Sequence, residues 1–371
     1  VQPAPFKLER YFARHEFSAQ YLLSASDCES LALSELLGLA DERSLALWRE
    51  LKLGYTESAG HPRLREAVAQ LYETLTPEQV MMAAPEELIF LAMNTLLRPG
   101  DHVITIFPAY QSLYEIARGL GCQVTPWLCQ ATANGWSLDL DQLERCRTAK
   151  TRLLVVNFPH NPTGYLPTLA ELEAIIAWSR RHDLLLFSDE MYRFLEYDPA
   201  ARLPAVCDRY EKGISLAGLS KSFALAGLRL GWLATRQQAL LHACLTLKDY
   251  TTICNSAPSE ILGLMALHAR ENIWARNLAI IRENLQHAES FCRVHGEQWR
   301  WLAPAAGSVA FPEWRGDGSS DELCRKLLAA KSVMAVPGSI FDFPGNHIRL
   351  GLGRKNFAEA LQCLDEYLRG N

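Results

Sequence analysis

Short, mostly apolar runs recur along the middle of the chain, separated by stretches in which apolar residues return every three or four positions. The runs are Val80–Ala83, His102–Phe107, Gln123–Leu128, Arg152–Phe158, Leu184–Ser188, Gly213–Ala217 and Leu230–Thr235. Short apolar runs without polar alternation read as strands buried on both faces, and the stretches between them as amphipathic helices. Strands alternating with helices predict a largely parallel, seven-stranded sheet covered by helices on both faces, a three-layer α/β/α domain. The last run follows its predecessor so closely that an antiparallel addition at the sheet edge is expected for it. Beyond Ala257 a helical pattern through Leu262, Leu267, Ile280 and Leu285 to about Val294 meets no strong breaker and predicts one long connection. Ser308–Phe311, Val333–Val336 and His347–Leu350, with helices near Asp321–Ala330 and Asn356–Leu368, then predict a smaller α+β domain. The expected division is a large domain over 51–256, and a connecting helix with a small domain over 257–371.

Polar motifs stand directly after several of the runs. Asn157-Phe-Pro-His-Asn-Pro-Thr-Gly164 follows one, and Ser188-Asp-Glu-Met-Tyr192 closes the next. Gly218-Leu-Ser-Lys-Ser-Phe-Ala-Leu-Ala-Gly-Leu-Arg229 follows a third. Strand C-termini are where open α/β sheets place their ligands. A lysine among small and apolar neighbours is a candidate Schiff-base amine, because partial desolvation lowers its pKa and frees its lone pair. Taken alone, Lys221 reads as an ordinary loop lysine, Asp189 as a helix cap and Asn161-Pro-Thr-Gly164 as a turn. Their company favours chemistry.

Composition narrows the classes. A chain of 371 residues with 49% hydrophobic and 21% charged residues can bury a sizeable core, which excludes a disordered or fibrous protein. The net charge of −5 and the lack of any Lys/Arg cluster offer no field for a nucleic-acid backbone. The 10 cysteines are scattered without CxxC pairs, so no metal site or redox dithiol is expected and a reducing, cytoplasmic setting is. No membrane span or signal pattern is read from the sequence.

The asparagine motif, Asp-x-x-Tyr, the lysine and the arginine, in this order and spacing, resemble the pyridoxal-phosphate-dependent aminotransferases of class I/II. This is the fold type I, aspartate aminotransferase-like family, and the resemblance covers nearly the whole chain. It implies pyridoxal 5'-phosphate as cofactor, and an L-α-amino acid and a 2-oxo acid as substrates. Lys221 would carry the cofactor as an aldimine and shuttle a proton between Cα and C4′. Asp189 would pair with the ring nitrogen, Asn161 and Tyr192 would approach the phenolic oxygen, and Tyr110 would stack on the ring. Arg229 would hold the phosphate together with Ser220 or Ser222, joined by Tyr55 of the neighbouring subunit in a homodimer. Arg349 would clamp the substrate carboxylate, with Asn161 beside it. The segment 1–50 is implied to fold back onto the small domain. Side-chain recognition is expected from Ser24–Ser30, the region Asp249–Asn255 and partner loops.

Two departures concern the phosphate. Ala84-Pro85-Glu86 stands where the family has a Gly-Ala-Thr-like run opening a helix; Pro85 has no N–H to donate and Glu86 brings a carboxylate. Gly218 replaces a common hydroxyl. Loose cofactor retention is therefore expected, to be tightened by Glu86→Thr with Gly218→Ser. The run Asn157–Pro162 and the short N-terminus are also similar to capreomycidine synthase. A biosynthetic lyase or cyclase is thus the alternative, and a weakly catalytic cofactor-binding protein a further one.

Overall fold

Seven strands make the central sheet: β1 (Val80–Ala83), β2 (His102–Phe107), β3 (Gln123–Leu128), β4 (Thr151–Asn157), β5 (Leu185–Asp189), β6 (Gly213–Gly218) and β7 (Gly231–Thr235). The computed structural model describes residues 2–133 and 135–370. The strands lie in the order β1-β7-β6-β5-β4-β2-β3. From β6 to β3 every pairing is parallel. β7 runs antiparallel to both its neighbours, as its short connection requires, but it is internal rather than at the edge. Trp232 and Leu233 are buried on opposite faces, and a strand with two apolar faces gains by sitting inside. The four-residue β1 takes the edge instead.

Four helices pack on the sheet or over its strand ends: α1 (Lys7–His15), α2 (Pro85–Leu96), α3 (Leu169–Arg181) and α4 (Gln238–Lys248). Val103, Leu153, Val155, Phe187, Ile214 and Leu233 pack on one sheet face against α2 and α4. Ile104, Ile106, Leu154, Val156 and Leu186 pack on the other against α3. Successive residues of each strand thus enter opposite cores, which is why the runs are apolar without alternation.

The pattern after Ala257 forms two helices, Ala257–His268 and Arg270–Val294, rather than one. The break at Ala269 (φ −91°, ψ 11°) has no glycine or proline; the Arg270 guanidinium instead takes the carbonyl of Leu267. Further on, Val309–Ala310, Ile348–Gly351 and Val336–Pro337 form a three-stranded antiparallel sheet with helices Ser320–Lys331 and Phe357–Arg369 nearby. The N-terminal segment reaches this region, where Tyr21–Leu22 pairs in parallel with Val333–Met334 and the Tyr11 hydroxyl donates to the Ala335 carbonyl. It also reaches the loop after β2, where the Lys7 N–H donates to Gln111 Oε1 at 2.8 Å. Among the described residues no helix is long and apolar enough to cross a membrane, and no His/Cys/Asp/Glu group could hold a metal.

Candidate active site

β4 and β5 end side by side, with Asn157 opposite Asp189. The Asn157 side chain ties the two ends to the next turn: Nδ2 donates to the Asp189 carbonyl at 2.8 Å, and Oδ1 accepts from the Asn161 N–H at 2.7 Å. Inside that turn His160 is fully buried, with Nε2 2.8 Å from the Pro108 carbonyl and Nδ1 2.6 Å from Thr163 Oγ1. Burial brings its pKa down to about 3, so the ring is neutral and can donate at one nitrogen and accept at the other. The Asn161 turn and the loop carrying Tyr110 are therefore fastened together beneath the site.

Above these strand ends lies a cavity of about 360 Å³. Asp189, Tyr192, Asn161 and Lys221 line it, as do Tyr110 and Arg349. Ser220, Arg229, Pro85 and Glu86 complete the group brought together from the sequence reading. Tyr55 does not line it and is 90% exposed; Ala84 faces a neighbouring groove, as do Thr251 and Thr252 of the Asp249–Asn255 region.

Several groups in the cavity lack the partners their chemistry demands. The Tyr192 hydroxyl is buried with no hydrogen-bond partner. Asp189 is buried, and its Oδ1 accepts from the Met191 N–H at 3.0 Å; burial pushes its pKa up to about 7 although Lys221 pulls the other way. Such a carboxylate calls for a cation or an N–H donor opposite it. Lys221 Nζ donates to Ser26 Oγ at 2.8 Å and stands 6.0 Å from the Tyr192 ring centroid. Arg349 is completely buried, donating from Nε and Nη2 to the Ser24 carbonyl and from Nη1 to Asn161 Oδ1 at 3.2 Å. Its partners are neutral, which leaves its charge open to an anion.

The helix α2 opens into this cavity at Pro85 and Glu86 with no capping side chain at Ala84, so its first-turn N–H groups are available to an anion. Arg229, in a left-handed conformation (φ 51°), adds an exposed guanidinium. Pyridoxal phosphate fits this donor set: an orphaned hydroxyl, a buried acid, a lysine, and a helix start with an arginine.

The two departures in the phosphate region are one packing event. A Cβ built on Gly218 would stand 3.0 Å from Pro85 Cγ, 3.1 Å from Gly231 Cα and 3.2 Å from the Leu230 carbonyl oxygen. Gly218 is bare because the Pro85 ring and β7 occupy the space its side chain would take. The remedy Gly218→Ser, expected from sequence to tighten cofactor binding, therefore requires the Pro85 ring or β7 to give by a few tenths of an ångström. The variant should unfold at lower temperature by an amount equivalent to about 1–3 kcal/mol of overpacking and hold cofactor no better. Thermal unfolding followed with and without cofactor tests this, and an unchanged melting temperature with tighter retention would contradict it.

Sequence reasoning passed over the wall that α1 supplies. Leu8, Glu9, Phe12 and Glu16 line the cavity, and Glu9 Oε1 accepts from the Tyr110 hydroxyl at 3.0 Å. The spacing of these residues is a helical face, the one signal available in the sequence. Ser26 and Asp27, from the expected Ser24–Ser30 segment, also line it. Ser222 does not, being buried with its carbonyl bonded by Asn277 Nδ2.

Comparison with known proteins gives the family and the fold. A family model described as aminotransferase class I and II matches residues 31–362. A capreomycidine synthase of Streptomyces vinaceus is 30% identical, the match covering 97% of this chain and 93% of that protein. An aspartate aminotransferase of Musicola paradisiaca (strain Ech703) is 28% identical over 77% of this chain and 74% of its own. The solved structure of a PLP-dependent aminotransferase from Streptococcus suis 89-1591 superposes with a TM-score of 0.92 at 30% identity, covering 100% of this chain and 99% of that one.

Proposed function

The chain belongs to the class I and II aminotransferases, pyridoxal-phosphate enzymes of an amino acid and a keto acid, and from that premise we propose the role of each residue in the cavity. Pyridoxal phosphate supplies an electron sink that accepts the pair released when a bond at the substrate Cα breaks. Lys221 holds the cofactor covalently and moves a proton at Cα, with Ser26 orienting its amine. Asp189 keeps the ring nitrogen protonated, the pairing that its buried carboxylate lacks. Tyr192 and Asn161 hold the phenolic oxygen, and Tyr110 covers the ring. Arg229, Ser220 and the open start of α2 hold the phosphate. Arg349 takes the α-carboxylate.

The observation that carries this reading is the convergence of Lys221, the unpartnered Tyr192 hydroxyl and the buried Asp189 on one cavity at the strand ends. Its test is a half-reaction: an L-amino acid should shift the absorbance of the bound cofactor and leave a 2-oxo acid, and a second 2-oxo acid should reverse the shift. The match to a capreomycidine synthase over nearly the whole chain supports a second reading, a lyase or cyclase. Loss of ammonia or ring closure without amino transfer would mark it.

The dimer belongs to this proposal. Leu53, Tyr55 and Tyr250 are 85%, 90% and 86% exposed, and Ser58 Oγ donates to the Ile253 carbonyl at 2.7 Å, joining their two loops into one apolar patch. A second copy covering this patch would bring Tyr55 to its neighbour's phosphate, and sedimentation should find twice the chain mass. The division at residues 50 and 256 and a cytoplasmic setting complete the reading; free thiols at all the described cysteines support the latter.

Glu86 gives cofactor retention a pH dependence. Burial pushes its carboxyl up to about 7, with Glu9 and Asp189 acting in the same direction and Ser112 and Tyr110 against it. A carboxyl raised in the fold stabilises it fully below the ordinary carboxylate range, and that contribution is lost as the pH rises through about 7. Ionised Glu86 also repels the phosphate. Cofactor should therefore dissociate faster at pH 8 than at pH 6, and Glu86→Gln should flatten the difference. Dialysis followed by absorbance at both values measures it; equal loss from the two proteins at pH 8 would contradict the assignment.

A further inference from the structure

The charges around the cavity do not cancel once the cofactor and an α-carboxylate have taken theirs. In the proposed roles Asp189, Lys221 and Arg229 are used by the cofactor and Arg349 by the substrate carboxylate. Asp27 is used by Arg354, whose Nη2 stands 3.0 and 2.9 Å from its two oxygens. Glu9, Glu16 and Glu86 remain, and among the described residues none of them has a lysine, arginine or histidine at ion-pair distance. Glu9 and Glu86 have only neutral hydroxyls, Tyr110 for Glu9 at 3.0 Å, and Ser112 at 3.2 Å with Tyr110 for Glu86.

Geometry places two of these beside the substrate. The Arg349 guanidinium lies 5.9 Å from the ring centroid of Phe12. Phe12 sits on α1 between Glu9, one turn before it, and Glu16, one turn after it, and all three line the cavity. An amino acid whose carboxylate reaches Arg349 therefore has its side chain beside a wall carrying two carboxylates. The buried Arg349, whose partners are all neutral, marks independently that an anionic substrate group occupies the space beside this wall. A side chain ending in a carboxylate would face like charges there.

We propose that the substrate is an L-α-amino acid whose side chain ends in a cation, an ammonium or a guanidinium, received by Glu16 and Glu9. This rests on the aminotransferase reading and gives its substrate class. A cationic end replaces the missing counter-charge, and Phe12 between the carboxylates packs on the methylene stem that leads to it.

The test compares cationic amino acids with neutral partners of the same shape on the holoenzyme: lysine against norleucine, and arginine against citrulline. The concentration giving half the absorbance change of the bound cofactor, together with kcat/KM, is read for each. The cationic member should be favoured at least tenfold, equivalent to about 1.4 kcal/mol. Glu16→Gln should shrink that ratio, and Glu9→Gln with Glu16→Gln should bring it near unity. If the double variant fails to fold, Glu16→Gln alone decides, since no other side chain depends on Glu16 for a hydrogen bond among the described residues. Equal response to both members, or a ratio unchanged by Glu16→Gln, overturns the proposal while leaving the aminotransferase reading in place. No response to any amino acid overturns both.

Discussion

Lys221→Ala is expected to abolish turnover while the protein still binds pyridoxal phosphate without covalent attachment. Proton transfer by a positioned amine contributes on the order of 10²–10⁴-fold, and loss of the covalent hold adds to that. The fold should tolerate the change, because Lys221 is only partly buried and makes one side-chain hydrogen bond, to Ser26. Borohydride reduction of the wild type followed by peptide mapping should find the cofactor on Lys221. Lys248 is the informative competitor: it is completely buried, but its Nζ is committed to the Ser58 carbonyl at 2.6 Å and to Asn255 Oδ1 at 3.3 Å. An adduct on Lys248, or a Lys221→Ala protein that still turns over, would remove the basis of the mechanism.

Arg349→Ala should raise the amino-acid concentration needed for half-saturation far more than it weakens cofactor binding. Truncating one partner of a buried charged pair costs on the order of 2–5 kcal/mol, or about 30-fold to several thousand-fold in affinity. Stability should fall as well, because the same guanidinium bonds the Ser24 carbonyl through Nε and Nη2. Arg349→Lys separates the two effects, retaining charge but losing the planar fork. If it restores the melting temperature without restoring amino-acid affinity, the fork itself recognises the carboxylate. Normal amino-acid binding with lost cofactor would place Arg349 at the phosphate instead.

What could be read from the sequence was what lies contiguous along it. Asn157–Gly164, Ser188–Tyr192 and Gly218–Arg229 each carry a strand end and its polar residues in one short run, so both sheet and motif are visible together. Contacts between distant residues were not. Pro85 and Gly218 looked like two independent losses because nothing in either run reveals that a proline ring lies on a bare Cα. The internal position of β7 depends on its pairing with β1, far away in the chain. Glu9 and Glu16 sit on a short polar helix whose composition resembles that of any exposed helix; only the placement of α1 over the cavity turns them inward. Tyr55 stands away from the cavity of its own chain, and the part proposed for it requires a second copy.

The α1 wall has a consequence for how such a protein can change. Most residues assigned to the cofactor stand just beyond the ends of sheet strands or at the start of α2, next to the packed cores of the large domain. Glu9 on α1 and Glu16 just after it face the cavity, while Leu8 anchors the same helix in the core beneath α3, helped by bonds at Lys7, Tyr11 and Tyr110. A lineage could therefore exchange these two carboxylates, and keep the anchors, without disturbing the lysine beneath them. If Glu9 and Glu16 receive the substrate as proposed, exchanging this segment between family members should redirect selectivity.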